Sequence, residues 1–193
     1  MNVLVAEDDK DIALSYKLAL ERHNHVVSIT YNGTDCITQY RNVYQSIKDR
    51  VAPDRDQKLN KKDNPSPFDV VVLDYKMPDK DGMEVAKEIL HINQQQRIIF
   101  ASAYVIETLK DSVKELNRVV ELLQKPFTME AFVSTIEDNE AYEGLKMLMV
   151  NIRDIEARKQ RRKKKDVQEH SPSDEQIKSL FEGLRKIQKY RTF

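Results

Sequence analysis

The sequence predicts an α/β fold, a doubly wound five-stranded parallel sheet with an extended helical tail at the C-terminus. Three observations lead there. Short apolar runs alternate five times with segments of helical period, the pattern of a parallel sheet covered on both faces. The clearest run, Phe68–Leu73 (FDVVVL), is close to continuously apolar, as suits a strand buried on both sides. Acidic, hydroxyl and lysine residues follow four of the runs directly, at the carboxyl ends where open parallel sheets assemble their sites.

Val3–Ala6 reads as the first strand, and Ile12, Tyr16, Ala19 and Leu20 follow at helical spacing. Val26, Val27 and Ile29 form a second strand closed by Asn32-Gly33, and Cys36, Ile37, Tyr40, Tyr44 and Ile47 a second helix. Phe68–Leu73 is the third strand, and Val85, Ala86, Ile89 and Leu90 mark the third helix. Ile98–Ala101 is the fourth strand, Ile106, Leu109, Val113 and Leu116 the fourth helix, and Val119–Leu123 contains the fifth strand. Thr128 is placed to cap a fifth helix carrying Phe132 and Ile136.

Two segments break the rhythm. Residues 49–67 are polar, contain Pro53, Pro65 and Pro67, and are too long for an ordinary connection, so they read as an insertion. Beyond Ile136 the helical pattern continues through Leu145, Leu148, Ile152 and Ile155, a seam suited to a partner helix. After Pro172, Ser173 and Gln176 resemble a capping box opening a last helix with Ile177, Leu180, Phe181, Leu184 and Ile187. The expected domains are residues 1–138 and a helical, basic extension, 139–193.

The 193 residues balance 32 Lys+Arg against 32 Asp+Glu. Residues 139–193 hold 14 Lys+Arg and 9 Asp+Glu, a net of +5, so the first 138 carry −5. The densest run is Arg158, Lys159, Arg161, Arg162, Lys163, Lys164 and Lys165, which reads as a solvated helix face, a nucleic-acid contact or a site for an acidic partner. No window approaches the ~18 consecutive apolar residues of a membrane span. Met1–Lys10 turns acidic by Glu7, unlike a signal peptide, so a soluble, cytoplasmic protein is expected. Cys36 stands alone, which excludes an internal disulfide framework and a cysteine metal site.

The strand ends collect Glu7-Asp8-Asp9, Asp74, Ser102 and Lys125. Carboxylates crowded together repel unless a cation sits among them, and an oxygen-only donor set suits a hard ion such as Mg2+. A lysine there offsets the charge of an anion bound beside the metal, which points to a phosphoryl group. Each residue also has an ordinary reading: Asp9 or Asp11 as a helix cap, Ser102 as a loop serine, Lys125 as a surface lysine. Their joint placement on four strand ends argues for the site.

These residues resemble the receiver domain of two-component response regulators. Asn2-Val3-Leu4-Val5-Ala6-Glu7-Asp8-Asp9 is similar to the family's first strand and acidic pair. Asp74-Tyr75-Lys76-Met77-Pro78-Asp79-Lys80-Asp81-Gly82 resembles its phosphoacceptor loop, with Pro four and Gly eight residues after the Asp. Ser102-Ala103-Tyr104 matches the hydroxyl position and Lys125-Pro126-Phe127 the lysine-proline signature. The resemblance implies a flavodoxin-like sheet in the order 2-1-3-4-5 and a phosphoacceptor signalling protein rather than an enzyme acting on a separate substrate. It implies Asp74 as nucleophile toward the phosphohistidine of a histidine kinase or phosphotransfer protein. Mg2+ would be held by Asp8, Asp74 and the main-chain carbonyl of Lys76, with Glu7 acting directly or through water. Lys125 would pair with phosphoryl oxygens, and Ser102 would move toward one, shifting the face of the fourth helix and fifth strand. Lys76 and Tyr104 would tune the lifetime of the phosphoryl group. Leu122 departs from the family, which usually has an aromatic residue or His there.

Two rival chemistries fit less well. An Asp-nucleophile, Mg2+-dependent phosphohydrolase of the haloacid dehalogenase type needs a second Asp two residues after the nucleophile, where Lys76 stands. A flavin carrier of similar fold needs a Ser/Thr/Gly-rich loop after the first strand, where this chain is acidic. His23, His25, His91 and His170 lack the spacing of a metal site. For the output, the readings are homodimerisation through the C-terminal helix, nucleic-acid binding by the basic run, and docking to another signalling protein.

Overall fold

Apolar runs settle into a sheet here because both of its faces are covered. In a computed structural model that describes residues 1–51, 66–103, 116, 118 and 120–148, five strands lie parallel in the order β2-β1-β3-β4-β5. They are β1 (Asn2–Ala6), β2 (Val26–Thr30), β3 (Val70–Asp74), β4 (Ile98–Ser102) and β5 (Glu121–Gln124). Between them run α1 (Lys10–Arg22), α2 (Gly33–Val51) and α3 (Gly82–Ile92), and a further helix, Met129–Glu137, follows β5. The predicted strand order and doubly wound architecture are both present.

Strand alternation divides the core. Leu4, Ala6, Val71, Leu73, Ile98 and Phe100 join Ile37 and Tyr40 of α2 and Val85 and Ile89 of α3 in one apolar cluster. Val3, Val5, Val70, Val72 and Ile99 point to the opposite face and are equally buried. There, α1 and the helix after β5 meet through Tyr16 and Phe132, whose rings stack 4.4 Å apart. Continuous apolarity in β1, β3 and β4 therefore has a direct cause: their apolar residues all face one of two covered sides.

Several boundaries differ from the sequence expectation. β3 starts at Val70, so Phe68 lies ahead of the strand, though its ring stays in the core cluster. Asp69 instead accepts the Asn2 N–H at 2.6 Å, tying the entries of β1 and β3 together. α2 runs on to Val51, into the expected 49–67 insertion, and Gln45 donates to Asp49 one turn later at 2.7 Å. Residues 52–65 of that insertion lie outside the described residues, as do Ile106, Leu109 and Val113 of the predicted fourth helix. Leu116 is half-buried against the core cluster.

β5 begins at Glu121 and ends at Gln124, one residue beyond the predicted run. A carboxylate is admitted to this strand because Arg97 meets it edge-on, with Nε and an Nη donating to its two oxygens at 2.7 and 3.1 Å. Both side chains are almost wholly buried, at 4% and 2% exposure. A second polar knot sits around Gln96, whose Oε1 accepts the Tyr40 hydroxyl at 2.9 Å and whose Nε2 donates to the Phe68 carbonyl at 3.0 Å. It fastens α2 and the approach to β3 at the amino-terminal end of the sheet, opposite the predicted site.

The backbone divides into two compact units, Met1–Val133 and Ser134–Phe193, and all five strands belong to the first. In the second, Asp138 accepts the Ala141 N–H at 2.9 Å and opens a helix whose described part is 139–148. Leu145 and Leu148 are half-buried on it. No helix among the described residues is long and apolar enough to cross a membrane.

Removing one member of a buried, bidentate ion pair costs about 3 kcal/mol or more, whereas an apolar replacement of both is far better tolerated. Glu121→Leu is therefore expected to lower the urea midpoint of the full chain markedly, and Arg97→Met with Glu121→Leu to restore much of the loss. A double variant as unstable as the single one would show that the pair does not hold β5 to β4.

Candidate functional site

Parallel register brings the strand ends level. Ala6 lies opposite Thr30 and Leu73, Asp74 opposite Ala101, and Ser102 opposite Gln124. The ladder runs one bond past two of the strands: Glu7 N–H donates to the Thr30 carbonyl at 3.1 Å, and Lys125 N–H to the Ser102 carbonyl at 2.8 Å. The residues following β1 and β5 are thus held by backbone before any side chain contributes. Glu7, Asp8, Asp74, Ser102 and Lys125 all stand along this carboxyl edge.

The four acidic residues separate by role. Asp9 caps α1, its carboxylate accepting the N–H groups of Asp11 and Ile12 at 2.9 and 3.1 Å. Glu7, Asp8 and Asp74 each offer a carboxylate oxygen, and the three oxygens lie within 4.8 Å of one another. Glu7 is buried, Asp74 half-buried and Asp8 exposed. The Lys125 ammonium reaches in, donating to Glu7 at 2.7 Å and to Asp74 Oδ1 at 3.2 Å.

Burial decides how these groups titrate. It pushes the Glu7 carboxyl up to about 6; the Lys125 hydrogen bond opposes this, while the Asp74 and Asp8 charges add to it. Asp74 is raised for the same first reason, with Lys125 pulling against burial. For Lys125, burial disfavours the ammonium, but the Glu7 hydrogen bond and the Asp74 and Glu7 charges together outweigh it and hold the pKa above its ordinary value. One ammonium stabilises itself fully here, yet leaves the surrounding carboxylates short of positive charge.

The loop after β3 explains how Asp74 is presented. Asp79 takes a left-handed backbone conformation, φ 67°, which Asp tolerates better than most residues. Asp81 then caps α3 in a reciprocal capping box with Glu84. Gly82 N–H donates to the Tyr75 carbonyl at 2.9 Å, and a Cβ on Gly82 would run into the Asp74 carbonyl oxygen. Only glycine lets α3 start this close behind Asp74. Met77 is buried beneath the loop while Lys76 is exposed beside it.

Ser102 is buried as the last residue of β4. Leu122 sits in β5 opposite Phe100, half-buried against the core cluster. Tyr104 and the tail residues Ile152, Ile155, Arg158, Lys159, Arg161, Arg162, Lys163, Lys164 and Lys165 lie outside the described residues. Two features escaped the sequence reading. Glu7, rather than Asp74, is the nearer partner of Lys125, which no local pattern signals. Tyr16, expected only as a core residue of α1, stacks against Phe127 two residues beyond Lys125, with ring centroids 5.8 Å apart.

An all-oxygen donor set of three clustered carboxylates, two with raised pKa values, fits a hard divalent cation. With a lysine beside it, the same edge suits an anion that shares the cation, as a phosphoryl group does. A carboxylate presented at a strand end beside such a site has the chemistry of a nucleophile.

Comparison with known proteins gives one consistent result. Residues 3–137 match the family described as the response regulator receiver domain. The response regulator receiver protein CpdR of Brucella abortus (strain 2308) is 25% identical over 135 residues, covering 70% of this chain and 92% of that protein. The DNA-binding transcriptional regulator NtrC of Azospirillum brasilense is 29% identical over 136 residues, 70% of this chain but 23% of that protein. Among solved structures, a response regulator receiver domain protein from Clostridium thermocellum superposes with a TM-score of 0.55 at 21% identity, covering 75% of this chain and 97% of that one.

The raised Glu7 value carries a pH dependence with a definite sign. The folded chain holds this proton more tightly than a free glutamate at 4.5, so stability present below pH 4.5 is lost as pH rises through about 6. The size is about 2 kcal/mol. A cation that needs the ionised carboxylate gains over the same rise. Mg2+ should therefore bind more tightly at pH 7 than at pH 5, and Glu7→Gln should flatten that difference. Equal Mg2+ affinities for the wild type at both pH values, by calorimetric titration, would contradict the assignment.

Proposed function

We propose that this chain, which belongs to the response regulator receiver domain family through residues 3–137, takes a phosphoryl group onto Asp74 from the phosphohistidine of a histidine kinase or phosphotransfer protein. The observation that carries this reading is the placement of Asp74. Its carboxylate stands at the end of β3, within one cluster with Glu7 and Asp8 and 3.2 Å from the Lys125 ammonium.

In the transfer an Asp74 carboxylate oxygen attacks phosphorus, the phosphorus–nitrogen bond to the donor histidine breaks, and its electron pair returns to the imidazole. The product is an acyl phosphate on Asp74 and a neutral histidine. Glu7, Asp8, Asp74 and the main-chain carbonyl of Lys76 would hold Mg2+, whose charge when bound offsets that of the phosphoryl oxygens. Lys125 supplies the second positive group from the opposite side. To do so it must give up part of its contact with Glu7, which is free to turn toward a cation instead. Ser102 would donate its hydroxyl to a phosphoryl oxygen.

Movement of Ser102 would be felt at once in β5, because its carbonyl holds the Lys125 N–H at 2.8 Å. We therefore place the switch in β4 and β5, with Leu122 supplying packing rather than a rotating ring. The chain acts as a signalling module, in the cytoplasm beside its kinase, and its output is a change in association. Leu145 and Leu148, half-buried on the 139–148 helix, favour self-association through the C-terminal extension over a separate catalytic activity.

Two measurements test this. Asp74→Asn should take no label from radiolabelled acetyl phosphate with Mg2+, while the wild type becomes labelled; equal labelling of both would remove Asp74 as phosphoacceptor. Sedimentation of the full chain with Mg2+ should show a larger associated fraction once beryllofluoride, a stand-in for the phosphoryl group, is added. An unchanged sedimentation coefficient would reject self-association as the output.

A further inference from the structure

The lysine that faces Asp74 is long and flexible, and its reach depends on where its backbone turn is held. That turn, Lys125-Pro126-Phe127, leaves β5 and is tied to β4 by the backbone bond from the Lys125 N–H to the Ser102 carbonyl. Beyond it stand three rings. Tyr16 of α1 lies 4.4 Å from Phe132 and 5.8 Å from Phe127, centroid to centroid, and Phe127 lies 5.7 Å from Phe132. All three are stacked, with interplanar angles of 25°, 24° and 10° respectively. Tyr16 is 2% exposed, so its ring has little room to move.

Tyr16 is also within reach of the site's charges. Burial pushes its hydroxyl well above the ordinary tyrosine value, and the Glu7, Asp74 and Asp9 charges push it further in the same direction. A leucine would cover the same apolar ground on α1 but would offer no flat face to Phe127.

We propose that Tyr16 is a positioning residue for Lys125, its ring stacking on Phe127 to hold the turn that presents the ammonium to a phosphoryl group on Asp74. The proposal rests on the phosphoacceptor reading above. It separates two functions of the edge: the cation ligands Glu7, Asp8 and Asp74 sit after β1 and β3, whereas the turn clamped by Tyr16 follows β5. Loosening that turn should leave cation binding intact and weaken only the group that Lys125 meets.

The test uses the full chain and two titrations: Mg2+ alone, then beryllofluoride at saturating Mg2+. Tyr16→Leu is expected to bind Mg2+ within about twofold of wild type but beryllofluoride roughly tenfold more weakly, the scale set by a misplaced charged contact. Tyr16→Phe, which keeps the ring, should bind both as the wild type does. Phe127→Leu, at a half-buried ring, should reproduce the Tyr16→Leu split and serves if that variant fails to fold. The proposal is overturned if Tyr16→Leu and Phe127→Leu bind beryllofluoride normally, if both ligands weaken by the same factor, or if Tyr16→Phe loses as much as Tyr16→Leu. A wild-type chain that binds Mg2+ but no beryllofluoride would instead overturn the phosphoacceptor reading, and this proposal with it.

Discussion

Lys125 brings its ammonium to 2.7 Å from Glu7 and 3.2 Å from Asp74, and much of the domain is arranged around that contact. Residues 7 and 125 are 118 positions apart in the chain, and Asp74 comes from between them. Their meeting requires β1, β3 and β5 to be parallel and level, which the register provides. It also requires the strands to end together, because a strand overrunning by one residue would reverse the face of its last side chain. The backbone bonds from Glu7 to Thr30 and from Lys125 to Ser102 extend the ladder just far enough to hold both residues.

That contact is incomplete as charge compensation, and the shortfall is useful. Three carboxylates gather within 4.8 Å, and burial raises Glu7 and Asp74 despite the lysine. Such a cluster is more comfortable with a divalent cation than without one. The same burial costs stability when the ion is absent. Strain of this kind is tolerated because the opposite end of the sheet is tightly fastened, by the Arg97–Glu121 pair and the Gln96 knot. The sheet is thus pinned at its amino-terminal end and left with ionisable, incompletely compensated groups at the other.

Between the two ends, aromatic and apolar packing runs from Asp74 toward β5. Tyr75, next to Asp74, sets its ring edge-on to Phe100, with centroids 6.4 Å apart, and Phe100 is paired in register with Leu122. The aromatic contact thus sits beside Asp74 rather than on β5. A leucine in β5 can shift within its packing but has no ring to swing between an inner and an outer position. Tyr16 stacks on Phe127 just past the end of β5, in the turn that carries the lysine.

The sequence by itself determined the architecture and most of the site. Alternating apolar runs and helical periods are local signals, and so is a polar residue placed directly after a run; the covered parallel sheet and the positions of Glu7, Asp8, Asp74, Ser102 and Lys125 were legible for that reason, whereas the order 2-1-3-4-5 followed only from the family resemblance those residues carry. The tertiary structure decided what depends on neighbours distant in sequence. It assigned Asp9 to the cap of α1 and its neighbours Glu7 and Asp8 to the carboxylate cluster, a choice made by which side of the turn each carboxylate faces. It buried Glu121 because Arg97, just ahead of β4, meets it with two donors. It made Glu7 the nearer partner of Lys125 and brought Tyr16 onto Phe127. Periodicity marks Tyr16 as inward-facing but says nothing of what it meets, because that is set by the packing of α1 against a turn more than a hundred residues away.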